Sequence, residues 1–195
     1  AGLTTGQIRA IETRDFAAFD SADMAALTTT QVQALTTAQV RAIATDDLPG
    51  LSTASLSAMS SAQIAALSTA QVLALGTDQI QALGSTQLRG LGTAQIAALG
   101  TDDLVAMDTV QFAALGTAQV AALTSAQVAA LASDDLASLS SLQIRAIDSR
   151  ALATLDSADL SALTSTQLGA LTSSQMGGLG TDSIDGLSTA ALAGL

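Results

Sequence analysis

Three pairs of adjacent aspartates are the residues of this chain best suited to bind a ligand. They are Asp46-Asp47, Asp102-Asp103 and Asp134-Asp135. Carboxylates that act together with free carbonyl oxygens can bind Ca²⁺, so these six residues are the candidate metal ligands. Each pair also follows a Ser or Thr at a predicted helix start, where the helix dipole favours Asp. Capping of the helix is therefore the simpler interpretation of the pairs.

The residue types needed for most catalytic chemistry are missing. The sequence contains no His, Lys or Cys, so a Ser or Thr nucleophile would have only a carboxylate as its partner. We therefore predict that the protein is not an enzyme. Calcium is the only cofactor that the sequence brings into consideration.

An eight-residue repeat runs through the whole chain without an insertion. Stepping by eight from Leu3 to Leu195 meets a large apolar residue at all 25 positions, and stepping from Ile8 to Leu192 does so at all 24. A third series, from Thr5 to Thr189, is Ser or Thr at all 24 positions. Such periodicity is typical of a repeat architecture. We predict one continuous array over residues 1–195.

The spacing within each octad favours short helices. Ile96 and Leu99 are three residues apart, which is helical spacing, and Ala and Gln between and before them are helix formers. One long helix is excluded because eight residues rotate an apolar stripe about 80° past two turns. A coiled coil needs spacing near 3.5 residues. The sequence predicts an all-α solenoid with one short helix per octad; a β-solenoid is the alternative.

The Ser/Thr series predicts the helix starts. A hydroxyl at the N-cap accepts a hydrogen bond from the first turn, and two residues later stands Gln (14 times) or Asp (six times). A capping box such as Ser68-x-x-Gln71 would place the start one residue earlier, and both registers remain open. Gly at the corner, as at Gly76, predicts a left-handed C-cap. We expect Leu, Ile, Val and Met inside, and Ser, Thr, Gln and Asp near the surface.

Small residues and one proline refine this prediction. The position before the repeated Leu is nearly always Ala or Gly, as at Ala10 and Gly50, which would let neighbouring helices approach closely. Pro49 stands about four residues past its predicted cap, so it removes an early helical hydrogen bond. A chain that tolerates proline there is expected to have helices barely longer than one turn.

The net charge of -11, from 17 acidic residues against six Arg, has the wrong sign for binding nucleic acid. Polar residues interrupt every apolar stretch, so no membrane-spanning segment is expected. We interpret the arginines as surface ion-pair partners; they are Arg9, Arg14, Arg41, Arg89, Arg145 and Arg150.

Two family resemblances follow from the octad. Residues 35–43, Leu-Thr-Thr-Ala-Gln-Val-Arg-Ala-Ile, resemble the opening helix of transcription-activator-like effector repeats, which bind DNA. That resemblance covers one helix, and the acidic charge opposes the activity it implies. The whole chain is similar to octapeptide arrays of the type Leu-[Gly/Ser/Thr]-[Ser/Thr]-x-Gln-[Ile/Val]-x-Ala-Leu in bacterial secreted or surface proteins. This second resemblance implies an extracellular structural or adhesive role.

We therefore expect a structural protein, the rod or subunit of a bacterial extracellular filament, surface layer or adhesin stalk. The alternative is a solenoid binding module for a protein, glycan or calcium on the cell surface. Both ends, Ala1-Gly2-Leu3 and Ala193-Gly194-Leu195, are ordinary repeat fragments without a polar capping unit. We expect a segment of a longer array, or a chain that binds copies of itself end to end or laterally.

Overall fold

The computed structural model describes residues 2–185, 187 and 189–192. These residues form 23 α-helices and one 3-10 helix, and they contain no β-strand. The chain divides into two compact units, residues 1–99 and 100–195. The all-α prediction is confirmed, and the β-solenoid alternative is wrong. The ends at Ala1 and at residues 193–195, on which the prediction of uncapped ends depends, lie outside the described residues.

The helices of the first unit are α1 (Thr5–Ala10), α2 (Thr13–Phe16), α3 (Ser21–Ala26), α4 (Thr29–Ala34), α5 (Thr37–Ala42), the 3-10 helix (Thr45–Gly50), α6 (Thr53–Ser57), α7 (Ser61–Ala66), α8 (Thr69–Leu73), α9 (Thr77–Gln81), α10 (Ser85–Gly90) and α11 (Thr93–Ala98). Those of the second unit are α12 (Thr101–Val105), α13 (Thr109–Ala114), α14 (Thr117–Ala121), α15 (Ser125–Ala129), α16 (Ser133–Ser138), α17 (Ser141–Ala146), α18 (Ser149–Leu152), α19 (Ser157–Ala162), α20 (Ser165–Leu168), α21 (Ser173–Gly178), α22 (Thr181–Asp185) and α23 (Thr189–Leu192).

The helices start at the residues of the Ser/Thr series itself, one residue earlier than they would if that series supplied the N-caps. In α4 the N-cap is Thr28, whose side chain accepts from the Gln31 backbone N–H, and Thr29 is the first helical residue. The capping-box register is therefore the correct one. Where the chain has Ala at the cap, as at Ala44 and Ala132, the cap makes no side-chain hydrogen bond.

The glycine in the connection between two helices has a different structural role from the one predicted. Gly76 is the N-cap of α9 with φ -79° and ψ 160°, which is extended backbone. No glycine of the described residues has a positive φ. The expected left-handed C-cap is wrong because the preceding helices end on a residue in αR or extended conformation. The C-cap of α8, for example, is Ala74, which is in αR with φ -82°.

Pro49 marks the helix with 3-10 geometry, Thr45–Gly50. Proline has no N–H to donate to the carbonyl four residues earlier, so the tighter 3-10 winding fits this octad. The 23 α-helices have four to six residues each. The prediction of helices barely longer than one turn is confirmed.

Each unit is a coil in which every helix packs on the helix three further along the chain. In the first unit α1 packs on α4 and α7 packs on α10; in the second α14 packs on α17. The two repeated apolar positions fill the interior: Ile96 and Leu99 are both buried, as the spacing predicted. Met24, Met59 and Met107 are also buried, while Met176 is half-buried.

The small residue before the repeated Leu does allow close packing. A Cβ atom on Gly90 would lie 2.8 Å from the carbonyl oxygen of Ser61 in the helix beneath it. A Cβ atom on Gly50 would overlap the carbonyl oxygen of Ser21 in the same way. The predicted close approach is therefore confirmed where these helices, α10 on α7 and the 3-10 helix on α3, meet.

Candidate functional site: a glutamine ladder between turns

The third residue of each helix is the most conspicuous polar feature of the fold. At this position Gln31 accepts a hydrogen bond from the Thr28 backbone N–H through Oε1, at 2.8 Å. The same bond recurs at the glycine caps, for example from the Gly76 N–H to Gln79 at 3.0 Å. The Gln side chain thus satisfies a backbone donor at the start of its own helix, as a capping box does.

The other half of the same amide group reaches the neighbouring turn. The Gln63 Nε2 donates to the Leu35 carbonyl at 2.8 Å and to the Val32 carbonyl at 2.9 Å, which are 28 and 31 residues earlier. In the second unit Gln175 binds the carbonyls of Ile147 and Ile144 in the same way, at 2.9 and 3.0 Å. We call these side chains the glutamine ladder. Amide–carbonyl bonds of the ladder are made, among others, by Gln31, Gln39, Gln63, Gln71, Gln79, Gln87, Gln95, Gln143, Gln167 and Gln175.

The ladder satisfies backbone groups that a short helix leaves without partners. The last carbonyls of a helix have no intrahelical donor, and a helix of one or two turns consists largely of such ends. Gln39 reaches both Ile8, inside α1, and Ile11, the C-cap of α1. Each helix packs on the third helix before it, and its ladder side chain reaches the end of the fourth helix before it. One turn of the coil therefore takes between three and four octads.

Burial of the ladder corrects one expectation. Gln39 is only 1 % exposed, and each of the amide–carbonyl members is buried. The prediction that Gln lies near the surface with Ser and Thr is therefore wrong at these positions, whereas it holds for Gln33 and Gln81, which are exposed. The hydroxyl series at the first helical position is exposed or half-buried, as predicted, for example at Thr37 and Ser61. A buried amide is tolerated here because both its acceptor and its donors have partners.

Other residue types at the ladder position keep only part of these bonds. Ser55 donates to the Leu27 carbonyl at 3.5 Å, and Ser183 donates to the Leu155 carbonyl at 3.0 Å, again 28 residues away. Asp103 accepts from the Gly100 N–H at 3.2 Å. An ionised carboxylate has no hydrogen to donate to a carbonyl of the neighbouring turn.

The structure separates the two members of the candidate calcium pairs. Asp102 and Asp134 are exposed, while Asp103 and Asp135 occupy ladder positions and are buried. In the 3-10 helix Asp46 is exposed and Asp47 is half-buried. Among the described residues no three or more His, Cys, Asp or Glu side chains are grouped as they would be around a metal ion.

Burial also raises the pKa of the two buried aspartates, Asp103 and Asp135. Removal from water raises the pKa of the Asp103 carboxyl, against the opposing effect of the Gly100 N–H, and the charge of Asp102 raises it further. Burial likewise raises the pKa of Asp135, and the charges of Asp134 and Asp108 add to this effect while the Ala132 N–H opposes it.

The arginines do not all form the predicted ion pairs. Arg14 does so, with its Nε 3.1 Å from Glu12 and 3.3 Å from Asp15. Arg9 and Arg41 instead donate through Nε to the carbonyls of Ala34 and Ala66, at 3.4 and 3.2 Å. Both carbonyls lie 25 residues later, at the C-terminal end of a helix in the next turn, where a cation is favourable.

No helix among the described residues has the length and apolarity needed to cross a bilayer.

The comparison with known families bears on this same octad. A family model described as "ALTTAQ repeat" matches the chain at residues 8–45, 40–77, 73–102, 96–133 and 152–189. The chain belongs to the ALTTAQ repeat family. No curated protein matches it.

In this ALTTAQ array the Gln of the motif has a second role, binding the neighbouring turn, that the sequence did not reveal. We predicted that Gln caps its own helix, and the contact with the neighbouring turn was not foreseen. One signal was available: the position holds an amide, Gln, 14 times and an acid only six times, always as Asp, although Glu is equally suited to a capping box. A preference for the amide over the acid indicates that its N–H groups also have acceptors.

Proposed function

We propose that the protein is structural, and that it forms the rod or a subunit of a bacterial extracellular filament, surface layer or adhesin stalk. The proposal places it outside the cell, in line with the bacterial secreted and surface arrays that its octads resemble. On this proposal the polar residues that recur in each octad hold neighbouring turns together and do not act on a substrate.

The glutamine ladder is the observation that carries this proposal. Gln63 and Gln71 lie in successive octads and make the same two bonds, to residues 28 and 31 positions earlier. A turn thus offers amide donors on one side and helix-end carbonyls on the other. Each turn presents the same hydrogen-bonding groups to the next turn. An array can therefore be lengthened without a change in its contacts, as a structural spacer requires.

The polar surface fits an extended element in contact with water. The exposed first helical positions carry hydroxyls, and the net charge of -11 disfavours lateral clumping of an array with an apolar interior. With no Cys in the sequence, its cohesion does not depend on the redox state of the compartment.

Immunogold electron microscopy of intact native cells, with antibodies raised against the purified chain, tests this function. We expect label on the cell surface or on material extending from it, before any permeabilisation. Cells permeabilised in parallel serve as the control for total antigen. Label that appears only after permeabilisation would contradict the extracellular structural function.

A further inference from the structure

The amide bonds between turns are not evenly distributed along the ladder. In the first unit five successive ladder positions, Gln63 to Gln95, each donate to the carbonyl 28 residues earlier, at 2.6 to 2.8 Å. These side chains lie on α7 to α11, residues 61–98, which we call the amide block. In the second unit the amide is missing from three of four successive ladder positions, which hold Asp135, Ala151 and Asp159.

Two carbonyls of the preceding turn therefore lack the bond that their octad position receives elsewhere. Met107 and Leu123 lie 28 residues before Asp135 and Ala151, and within the described part of the chain no side chain donates to their carbonyl oxygens. An alanine side chain has no polar atom, and an ionised carboxylate has no hydrogen to donate. All four residues are buried, so water cannot readily replace the missing donors. Buried carbonyls without partners destabilise the contact between these turns.

Two polar contacts do remain across this part of the coil. Gln143, on α17, keeps the ladder geometry and donates to the Leu115 carbonyl at 2.8 Å. Asp159, on α19, accepts from the Ser133 hydroxyl at 2.9 Å, but it supplies no amide donor to the preceding turn. We call α16 to α19, residues 133–162, the interrupted segment. Its turns are joined by fewer hydrogen bonds than those of the amide block.

Apolar packing does not make up this difference. Leu136 and Leu152 of the interrupted segment are fully buried, and so are Ile64 and Val72 of the amide block. The interrupted segment also contains a buried carboxyl, Asp135, beside two further acidic charges, and an ionised group in such a place costs free energy. With equivalent apolar interiors, the hydrogen bonds and this charge decide which segment opens more readily.

We propose that the interrupted segment is a built-in site of local opening, where turns of the coil separate and re-form while the amide block stays folded. Opening can remain local because each repeat contacts only its neighbours in the coil. This inference goes beyond the proposed function and does not depend on it, since local opening is a property of the folded chain wherever the protein is located. In a structural array such a site relieves strain at a fixed place.

Hydrogen–deuterium exchange of the purified chain at pH 7, measured by mass spectrometry of peptic peptides, tests this proposal. We expect the backbone amides of the interrupted segment to exchange at least about tenfold faster than those of the amide block. Ala151→Gln supplies the missing donor for the Leu123 carbonyl and should slow exchange in the interrupted segment at least about threefold. Ala158→Gln is the matched control, because Ala158 is exposed in the same segment and its replacement should leave the exchange rates unchanged.

The converse change in the amide block provides a second test, which does not require a longer side chain to fit at position 151. Gln79→Ala removes the donor to the Leu51 carbonyl, so exchange in α9 and the helices beside it should rise toward that of the interrupted segment. Far-ultraviolet circular dichroism checks that each variant retains its helices.

Three results would overturn the proposal. They are equal exchange in the two segments of the unmodified chain, a folded Ala151→Gln chain that exchanges as fast as the Ala158→Gln chain, and unchanged exchange around α9 in Gln79→Ala. None of these results bears on surface labelling, so the proposed function is tested separately.

Discussion

The Nε2 atom of Gln63 lies 2.8 Å from the carbonyl oxygen of Leu35, 28 residues earlier, while the Oε1 atom of the same side chain accepts from the Ser60 N–H at 2.8 Å. One amide group therefore connects the start of its own helix with the end of a helix in the preceding turn. Loss of its N–H groups would leave two buried carbonyls without a side-chain donor. The stability of the array depends on this two-sided use of Gln.

Replacing the amide by an acid of the same shape tests the ladder. Gln63→Glu keeps an acceptor for the cap but removes the donors to Val32 and Leu35, so we expect a loss of about 2–3 kcal/mol in the free energy of unfolding at pH 7. Urea denaturation measures it. Gln7→Glu is the matched control and should change stability by less than about 0.5 kcal/mol, because Gln7 is exposed. Equal effects at the two positions would contradict an inter-turn function.

The converse change should strengthen the ladder where it is interrupted. Asp135→Gln places an amide at a buried ladder position, 28 and 31 residues after Met107 and Leu104. We expect a gain of about 1 kcal/mol in the free energy of unfolding, from the new hydrogen bonds and from removal of a buried charge. The same substitution at the exposed neighbour, Asp134→Gln, should change the denaturation midpoint less, because it removes only the repulsion between Asp134 and Asp135. A destabilised Asp135→Gln chain would show that the second unit has no room for the longer side chain.

Buried acids should give stability a defined pH dependence. The folded-state pKa of Asp135 is raised above its unfolded value by burial, so the folded chain binds this proton more tightly. The cost of ionising it is present above the folded pKa and is relieved as the pH falls through that value. Asp135→Asn should therefore raise the melting temperature at pH 7, and its advantage over the unmodified chain should shrink as the pH is lowered from 7 towards the ordinary carboxyl pKa of 3.8. Asp134→Asn, at the exposed position, provides the comparison; an advantage that stays constant over this whole range would refute the raised pKa.

Two glycines should respond in opposite directions to a side chain. A Cβ atom on Gly90 would lie 2.8 Å from the Ser61 carbonyl oxygen, so Gly90→Ala should cost about 1–3 kcal/mol despite the higher helix propensity of Ala. Gly76 has open space around it and an N-cap backbone that any residue adopts, so Gly76→Ser should gain about 0.5–1 kcal/mol. Thermal denaturation of both variants distinguishes close packing from a general effect of glycine; a stabilised Gly90→Ala chain would contradict the close approach.

Calcium binding is a separate question, which a titration answers. The described residues hold no group of three acidic side chains arranged for a metal. We therefore expect 5 mM CaCl₂, which exceeds the dissociation constants of roughly 0.1–1 mM of extracellular calcium modules, to shift the melting temperature no more than MgCl₂ does. A shift specific to calcium that disappears in Asp102→Asn or Asp134→Asn would instead support the alternative of a metal-binding module.

Much of the fold follows from the octad alone. The spacing of Ile96 and Leu99 predicts one helix per repeat, and the small residue at Gly90 predicts close packing. The helix register does not follow, since Thr28 and Thr29 are both good caps. The partners of Gln63 do not follow either: they depend on the number of octads in a turn, and a chain whose octads are equivalent gives no sign of where one turn ends. Gly76 was misassigned because an N-cap also accepts glycine.

The constant offset of 28 residues between a ladder amide and its carbonyl has a consequence for how such genes change. When eight residues are removed inside an array, Gln71 meets an equivalent Leu carbonyl in an equivalent octad, and every hydrogen bond finds a substitute. A deletion of four residues would instead place an apolar side chain where the amide belongs. Slippage by whole 24-nucleotide units is therefore expected to keep the ladder contacts, so that an array built of such octads could change in length while the packing of its turns stays the same.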